Sequence, residues 1–245
     1  MTERRGEQSW RTTMRPIAPL GALWLAGACL LVLLIGKSSV PSEQLLLDPT
    51  HYQNRPWYTG LISNLGVLGW TTATVAAAGG SWISRAGDRR AAADMLREGA
   101  LLSSLLLLDD LFQLHIVVAK AVGASKLAFY IIYVALATAW VTTNVRELLR
   151  TRWPLLVAAI GALLTSVIAD QLMSGTGRGL ITEDSAKFFG ILAWALFFVL
   201  TARDIAHSVL TELVTTVRQL TGPEHSLGAQ PSRPGSDNHL QGAEP

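Results

Sequence analysis
Apolar positions gather into six blocks, 17–36, 58–80, 98–119, 124–145, 153–174 and 185–202, separated by short polar stretches. A hydrocarbon core of roughly 30 Å takes about 20 helical residues to cross, and each block is close to that length. The pattern therefore predicts an all-α, polytopic membrane protein, with six transmembrane helices between residues 17 and 203. Segments of about ten residues with alternating polarity, the mark of a transmembrane barrel, do not occur. Beyond the sixth block Ile205, Val209, Leu213, Val217 and Leu220 recur every three or four residues. That spacing predicts an amphipathic helix over 204–221, lying on the inner leaflet or docking a protein partner or a second copy. The stretch 222–245 is rich in Gly, Pro, Ser and Gln and is expected to be a disordered tail.

Charge sets the topology. Only 16% of the residues are charged, against about 25% in a soluble domain. If the basic N-terminus, 1–16, lies inside, Arg4, Arg5, Arg11, Arg15, Arg85, Arg89, Arg90, Arg97, Arg146, Arg150, Arg152, Arg203, Arg218 and Arg233 all fall on that side. Lys37, Arg55, Lys120, Lys126, Arg178 and Lys187 fall on the other. The positive-inside rule then puts both termini in the cytoplasm of a bacterial cell, in a multi-pass protein of its cytoplasmic membrane. The basic residues act as topology signals, so no nucleic-acid partner is expected and membrane lipids are. Ala26-Gly27-Ala28-Cys29 faintly resembles a lipoprotein cleavage box, but the apolar run continues through Ile35 and reads as an uncleaved first helix. With one cysteine, neither an intrachain disulfide nor a cysteine metal cluster is available.

Polar residues inside the blocks carry the functional argument. Asp109 and Asp110 sit near the middle of the third block, where charge is expensive and persists chiefly in protein interiors or water-filled cavities. Gln113 and His115 follow, Asp170 lies near the outer end of the fifth block, and Glu183 and Asp184 precede the sixth. Together they suggest a polar funnel open to the outside, with the aspartate pair at its bottom. The candidate catalytic residues are Asp109, Asp110 and His115. The candidate metal ligands are Asp110, His115, Asp170, Glu183 and Asp184. In a regular helix, at about 100° per residue, His115 points roughly 120° to 140° away from either aspartate. One ion could then reach Asp110 and His115 together only if the helix unwinds locally.

Each residue also has a plainer role open to it. The aspartates could hydrogen-bond Ser63, Asn64, Thr165 or Ser166 between helices. Thr182 suits a helix N-cap, Glu183 and Asp184 suit a first turn, and Glu183 and Lys187 are spaced as an i,i+4 pair. Asp170, an acid at a helix C-terminus, needs a partner from elsewhere. The glycines of 174–179 lack a phosphate-loop pattern, and no GxSxG, HExxH or CxxC occurs.

The strings Leu108-Asp109-Asp110-Leu111-Phe112-Gln113-Leu114-His115 and Glu183-Asp184-Ser185-Ala186-Lys187-Phe188-Phe189-Gly190-Ile191 resemble a pattern in uncharacterised bacterial multi-helix membrane proteins. The resemblance covers helices three to six and implies a shared site. More loosely, acids, a serine and a histidine at outer helix ends are similar to the alkaline ceramidase and adiponectin-receptor superfamily, seven-helix zinc-dependent membrane hydrolases. This chain departs from that family, with six helices, one intramembrane histidine and no HxxxH near its C-terminus, so the zinc ligands do not carry over. Three functions follow from the residues. The first is a hydrolase or transferase acting on a lipid or amphiphile through a divalent ion, for which a carboxylate-rich set suits Mg²⁺, Mn²⁺ or Ca²⁺ better than Zn²⁺. The second is a small proton- or cation-coupled transporter with the aspartates as relay, which lacks a clear inverted repeat or Gly/Pro-broken spans in its favour. The third is a non-catalytic subunit docking through 205–220.

Overall fold
In a computed structural model of the chain, residues 17–37, 60–173 and 177–221 are described. These residues form helices and no strand. They are α1 (Ile17–Lys37), α2 (Leu61–Ala86), α3 (Arg90–Phe112), α4 (Leu114–Val122), α5 (Lys126–Thr143), α6 (Val145–Leu148), α7 (Trp153–Met173) and α8 (Gly177–Thr221). Five of them are long and apolar enough to cross a membrane, or six if α3 and α4 count as one bent span. The fold is therefore that of a helical membrane protein. The chain divides after Val209. The helical residues of the second unit, from Leu210, present Leu210, Leu213, Val214, Val217 and Leu220 as exposed apolar side chains. The expected disordered tail, the basic N-terminus and residues 38–59 between the first two helices lie outside the described residues.

Within the first unit α8 is the central helix. Its most apolar stretch is 56% buried, against 6% for that of α5. A helix that is hydrophobic all round belongs in a core, and α8 supplies Phe188, Ile191, Trp194, Phe197 and Phe198 to it. Lipid tails are as apolar as leucine, so helices in a membrane associate through close packing and hydrogen bonds. Both are visible between α3 and α8, which run antiparallel with Gly99 against Phe198, Ser103 against Trp194 and Asp110 against Lys187. A Cβ at Gly99 would lie 2.6 Å from the Phe198 ring, so only glycine lets the helices approach this closely here. Indole N–H groups fasten the bundle: Trp194 donates to Ser103 Oγ at 2.9 Å, Trp140 to the Met95 carbonyl at 3.0 Å and Trp24 to the Phe189 carbonyl at 3.1 Å. Helices α2 and α3 form a tight hairpin, closed by the Ser81 hydroxyl donating to the Ala93 carbonyl at 2.7 Å.

Several expected boundaries differ, and the third helix already begins at Arg90 rather than residue 98. The second helix extends to Ala86 rather than residue 80, because Trp82 and Ile83 continue it to a cap at Gly87. The sixth helix and the amphipathic helix are one, Gly177–Thr221; Arg203 and Asp204, read as a boundary, are tolerated on its exposed side, where Asp204 accepts from Arg152 at 2.7 Å. The third helix is broken. Gln113 adopts a left-handed conformation (φ 51°, ψ 43°), and α3 and α4 meet at 77°. Non-glycine residues rarely take that conformation, and asparagine, aspartate and histidine do so more readily than glutamine.

Candidate functional site
The break at Gln113 leaves backbone N–H groups at the start of α4 without helical acceptors, and a side chain of α3 satisfies one of them. The backbone N–H of His115 has no helical acceptor at the start of α4; it donates to Asp109 Oδ1 at 2.7 Å. The same carboxylate takes the His115 ring, with Nδ1 at 3.0 Å from Oδ2. The positive end of α4 thus meets the Asp109 carboxylate, offsetting its poor placement at the negative end of α3. The 120° to 140° separation expected of a regular helix is removed by the bend, and Asp109, rather than Asp110, Asp170 or Glu183, is the partner of His115.

Asp110 turns the other way. It forms an ion pair with Lys187 of α8 through Oδ1; only 8% of the Asp110 side chain is exposed, against 38% of that of Lys187. Its Oδ2 has no hydrogen-bond partner and faces the bare backbone of α2 at Gly66, where a Cβ would stand 3.7 Å away. The i,i+4 pairing of Lys187 with Glu183 gives way to this long-range pair. Asp170 finds the partners it needs on α5: Lys126 Nζ at 2.7 Å, and the Tyr130 hydroxyl, which donates at 3.2 Å.

These groups surround a cavity of about 200 Å³ between α3, α4, α5, α7 and α8. Asp109, Asp110, His115, Lys126, Tyr130, Tyr133, Glu183 and Lys187 line its polar part. Trp70 and Trp194 contribute to its lining with ring centroids 6.0 Å apart, and Leu163, Leu164, Val167 and Val134 make an apolar wall. Asp170 is not part of the lining but holds Lys126 beside it, and Asp184 is not part of the lining. Thr182 to Asp184 do not open a helix, since α8 begins at Gly177.

The five candidate metal ligands do not converge. Among the described residues no three of the His, Cys, Asp and Glu side chains come together as a metal ion would require. Asp109, Asp110 and Asp170 each meet a histidine or a lysine instead. The aspartates hydrogen-bond neither Asn64 nor Ser166, although Ser166 also lines the cavity. Sequence reasoning missed Lys126, Tyr130 and Tyr133. Their spacing of i, i+4 and i+7 was the available signal, a polar stripe on one face of an otherwise apolar span.

Residues 22–201 match the model of a family described as a domain of unknown function, DUF8692, and the chain belongs to that family. The matched region includes every residue of the cavity. No curated protein and no solved structure matches the chain.

Proposed function
We propose that this chain is a small proton-coupled transporter of the bacterial cytoplasmic membrane, in which Asp110 and Lys187 separate and rejoin as a proton and a solute pass. The observation that carries this reading is the break at Gln113, which interrupts a span between an acid pair and a histidine, all three lining one cavity. Interrupted helices carrying ionisable groups are a recurring way for membrane proteins to offer polar contacts to a solute in transit. The positive-inside rule gives the direction. Arg85, Arg89, Arg90, Arg97, Arg146, Arg150 and Arg152 lie at the helix ends opposite Lys126, Asp170 and Glu183, so the termini are cytoplasmic and the cavity opens outward.

The chemistry is an exchange of partners. A proton on Asp110 removes the charge that holds Lys187, and the released ammonium is balanced by the other groups facing the cavity. Of these, Asp109 on α3 and Glu183 on α8 are the carboxylates that can balance it, with His115 on α4 and Lys126, Tyr130 and Tyr133 on α5 beside them and Asp170 of α7 adjoining the cavity behind Lys126. A metal-dependent hydrolase needs several acids free to share one ion, and three of the acids here are already engaged by a lysine or a histidine.

Infrared difference spectroscopy on the full chain in nanodiscs tests the proposal. A protonated-carboxyl band should form in the wild type and be missing in Asp110→Asn. Identical spectra in the two proteins would overturn the proton role. Stoichiometric bound metal in the wild type, lost in Asp109→Asn/Asp110→Asn, would replace this reading with the metal-dependent one.

A further inference from the structure
A second cavity, of about 480 Å³, lies between the turn that joins α6 to α7 and the facing stretch of α8. Arg150, Arg152 and Trp153 line it from the turn, and Asp204 and Ser208 from α8. It shares no residue with the first cavity. Asp204 follows Glu183 by 21 residues in α8, about 32 Å along a helix axis. The turn ends where α7, one of the membrane-crossing helices, begins at Trp153, so this cavity stands at the level of lipid headgroups.

Arg152 is the chief polar group of this cavity. Its Nε donates to Asp204 Oδ2 at 2.7 Å, which fixes the guanidinium between the turn and α8. The side chain is three-quarters buried, yet its two Nη groups form no hydrogen bond or ion pair among the described residues. Neither is sealed from solvent, as the unpaired Thr201 hydroxyl of the same cavity is. A guanidinium held by Nε with its outer fork unused offers the geometry that phosphate oxygens take in pairs. Arg203 shares Asp204 at 3.3 Å, and Arg150 pairs with Glu147 at 2.8 Å. These five side chains carry one positive charge in excess, which suits the single charge of a phosphodiester. Beside them Leu149 and Trp153 expose apolar surface. A free phosphate ion gains nothing from that surface, whereas an acyl chain packs on it.

We propose that this cavity binds the headgroup of an anionic phospholipid, with the phosphodiester on Arg152 and Arg150 and an acyl chain against Leu149 and Trp153. Basic pockets between membrane helices on the cytoplasmic side are a recurring form of anionic-lipid site. The bound lipid would tie the α6–α7 turn to α8 at the point where Arg152 and Asp204 already join them. The site is separate from the transport cavity, and neither reading depends on the other.

Native mass spectrometry of the full chain released from mixed micelles tests this. Dioleoylphosphatidylglycerol is the probe, dioleoylphosphatidylcholine the zwitterionic control and inorganic phosphate the soluble competitor. The expected result is retention of phosphatidylglycerol in preference to phosphatidylcholine, undisturbed by phosphate. Arg152→Gln/Asp204→Asn replaces the ion pair by two amides and strands no charge. It should weaken phosphatidylglycerol binding about ten-fold, as loss of a charged hydrogen bond does, with a melting temperature in lipid-free micelles close to that of the wild type. Should that variant fold poorly, Arg150→Gln changes only an exposed side chain and should weaken binding about five-fold. Arg85→Gln removes an arginine that pairs with Asp94 outside the cavity and should leave binding unchanged. Equal retention of the two lipids, undiminished binding in the cavity variants, or an equal loss in Arg85→Gln would each overturn the inference. Displacement of the lipid by phosphate would overturn it too, and reassign the cavity to the free anion.

Discussion
Two levels of the α3–α8 interface handle buried polarity in opposite ways. At the first, Ser103 is fully buried; its hydroxyl donates to the Gly99 carbonyl one turn back and accepts from Trp194. Every partner is neutral, and Trp70, Trp140 and Phe198 pack around Trp194. Two turns along, Asp110 and Lys187 meet in the same antiparallel register, beside a cavity and a broken helix. A neutral polar group finds an acceptor on its own helix at little cost. A charge must be matched from another helix, so the positions of α3, α5, α7 and α8 become mutually dependent wherever charges sit.

The sharpest way to break this comparison is to strand one charge. Lys187→Met should cost about 3–5 kcal/mol, because Asp110 is left buried and unmatched. Unfolding in mixed micelles would measure it, and adding Asp110→Asn should restore most of the loss; no recovery would mean the pair matters less than the packing around it. Asp109→Ala comes next, at about 2 kcal/mol, since it removes both the acceptor for the first turn of α4 and the His115 partner. Asp109→Asn keeps an acceptor for the His115 N–H and should recover about half, which the same unfolding assay would show.

Ser103→Ala samples the neutral level. Loss of the Trp194 hydrogen bond should cost about 1 kcal/mol, in line with other hydrogen bonds between membrane helices. A value equal to that of Lys187→Met would erase the distinction between the two levels. Smallest of all, Arg150→Ala removes a solvent-exposed pair with Glu147 at 2.8 Å and should change stability by less than about 0.5 kcal/mol.

How much of this could be read from the chain depends on the range of the interaction. Hydropathy set the first and fifth spans to within a residue, because length and apolarity are local properties. The acid pair stood out for the same reason, as charge within an apolar run. The break did not, since Leu111-Phe112-Gln113-Leu114 contains neither glycine nor proline and the apolar pattern runs straight through it. It is stabilised by Asp109 reaching six residues ahead, a contact with no periodic signature. Lys187 was visible, yet the helical spacing rule assigned it to Glu183, and only the α3–α8 register reveals Asp110 as its partner. Asp170 shows the opposite: an acid at an unfavourable helix end called for an outside cation, and Lys126 supplies it.

The Asp110–Lys187 pair also bears on how the protein is made. Lys187 follows Asp110 by 77 residues, so during synthesis α3 meets the bilayer long before its counter-charge leaves the ribosome. An aspartate costs up to about 2.5–3.5 kcal/mol on insertion, the full amount at the centre of a span and less towards its end, a burden that the leucines of α3 must carry alone at that stage. The last span to be made is therefore the one that secures the third, and the nascent chain holds an unmatched carboxylate until α8 arrives.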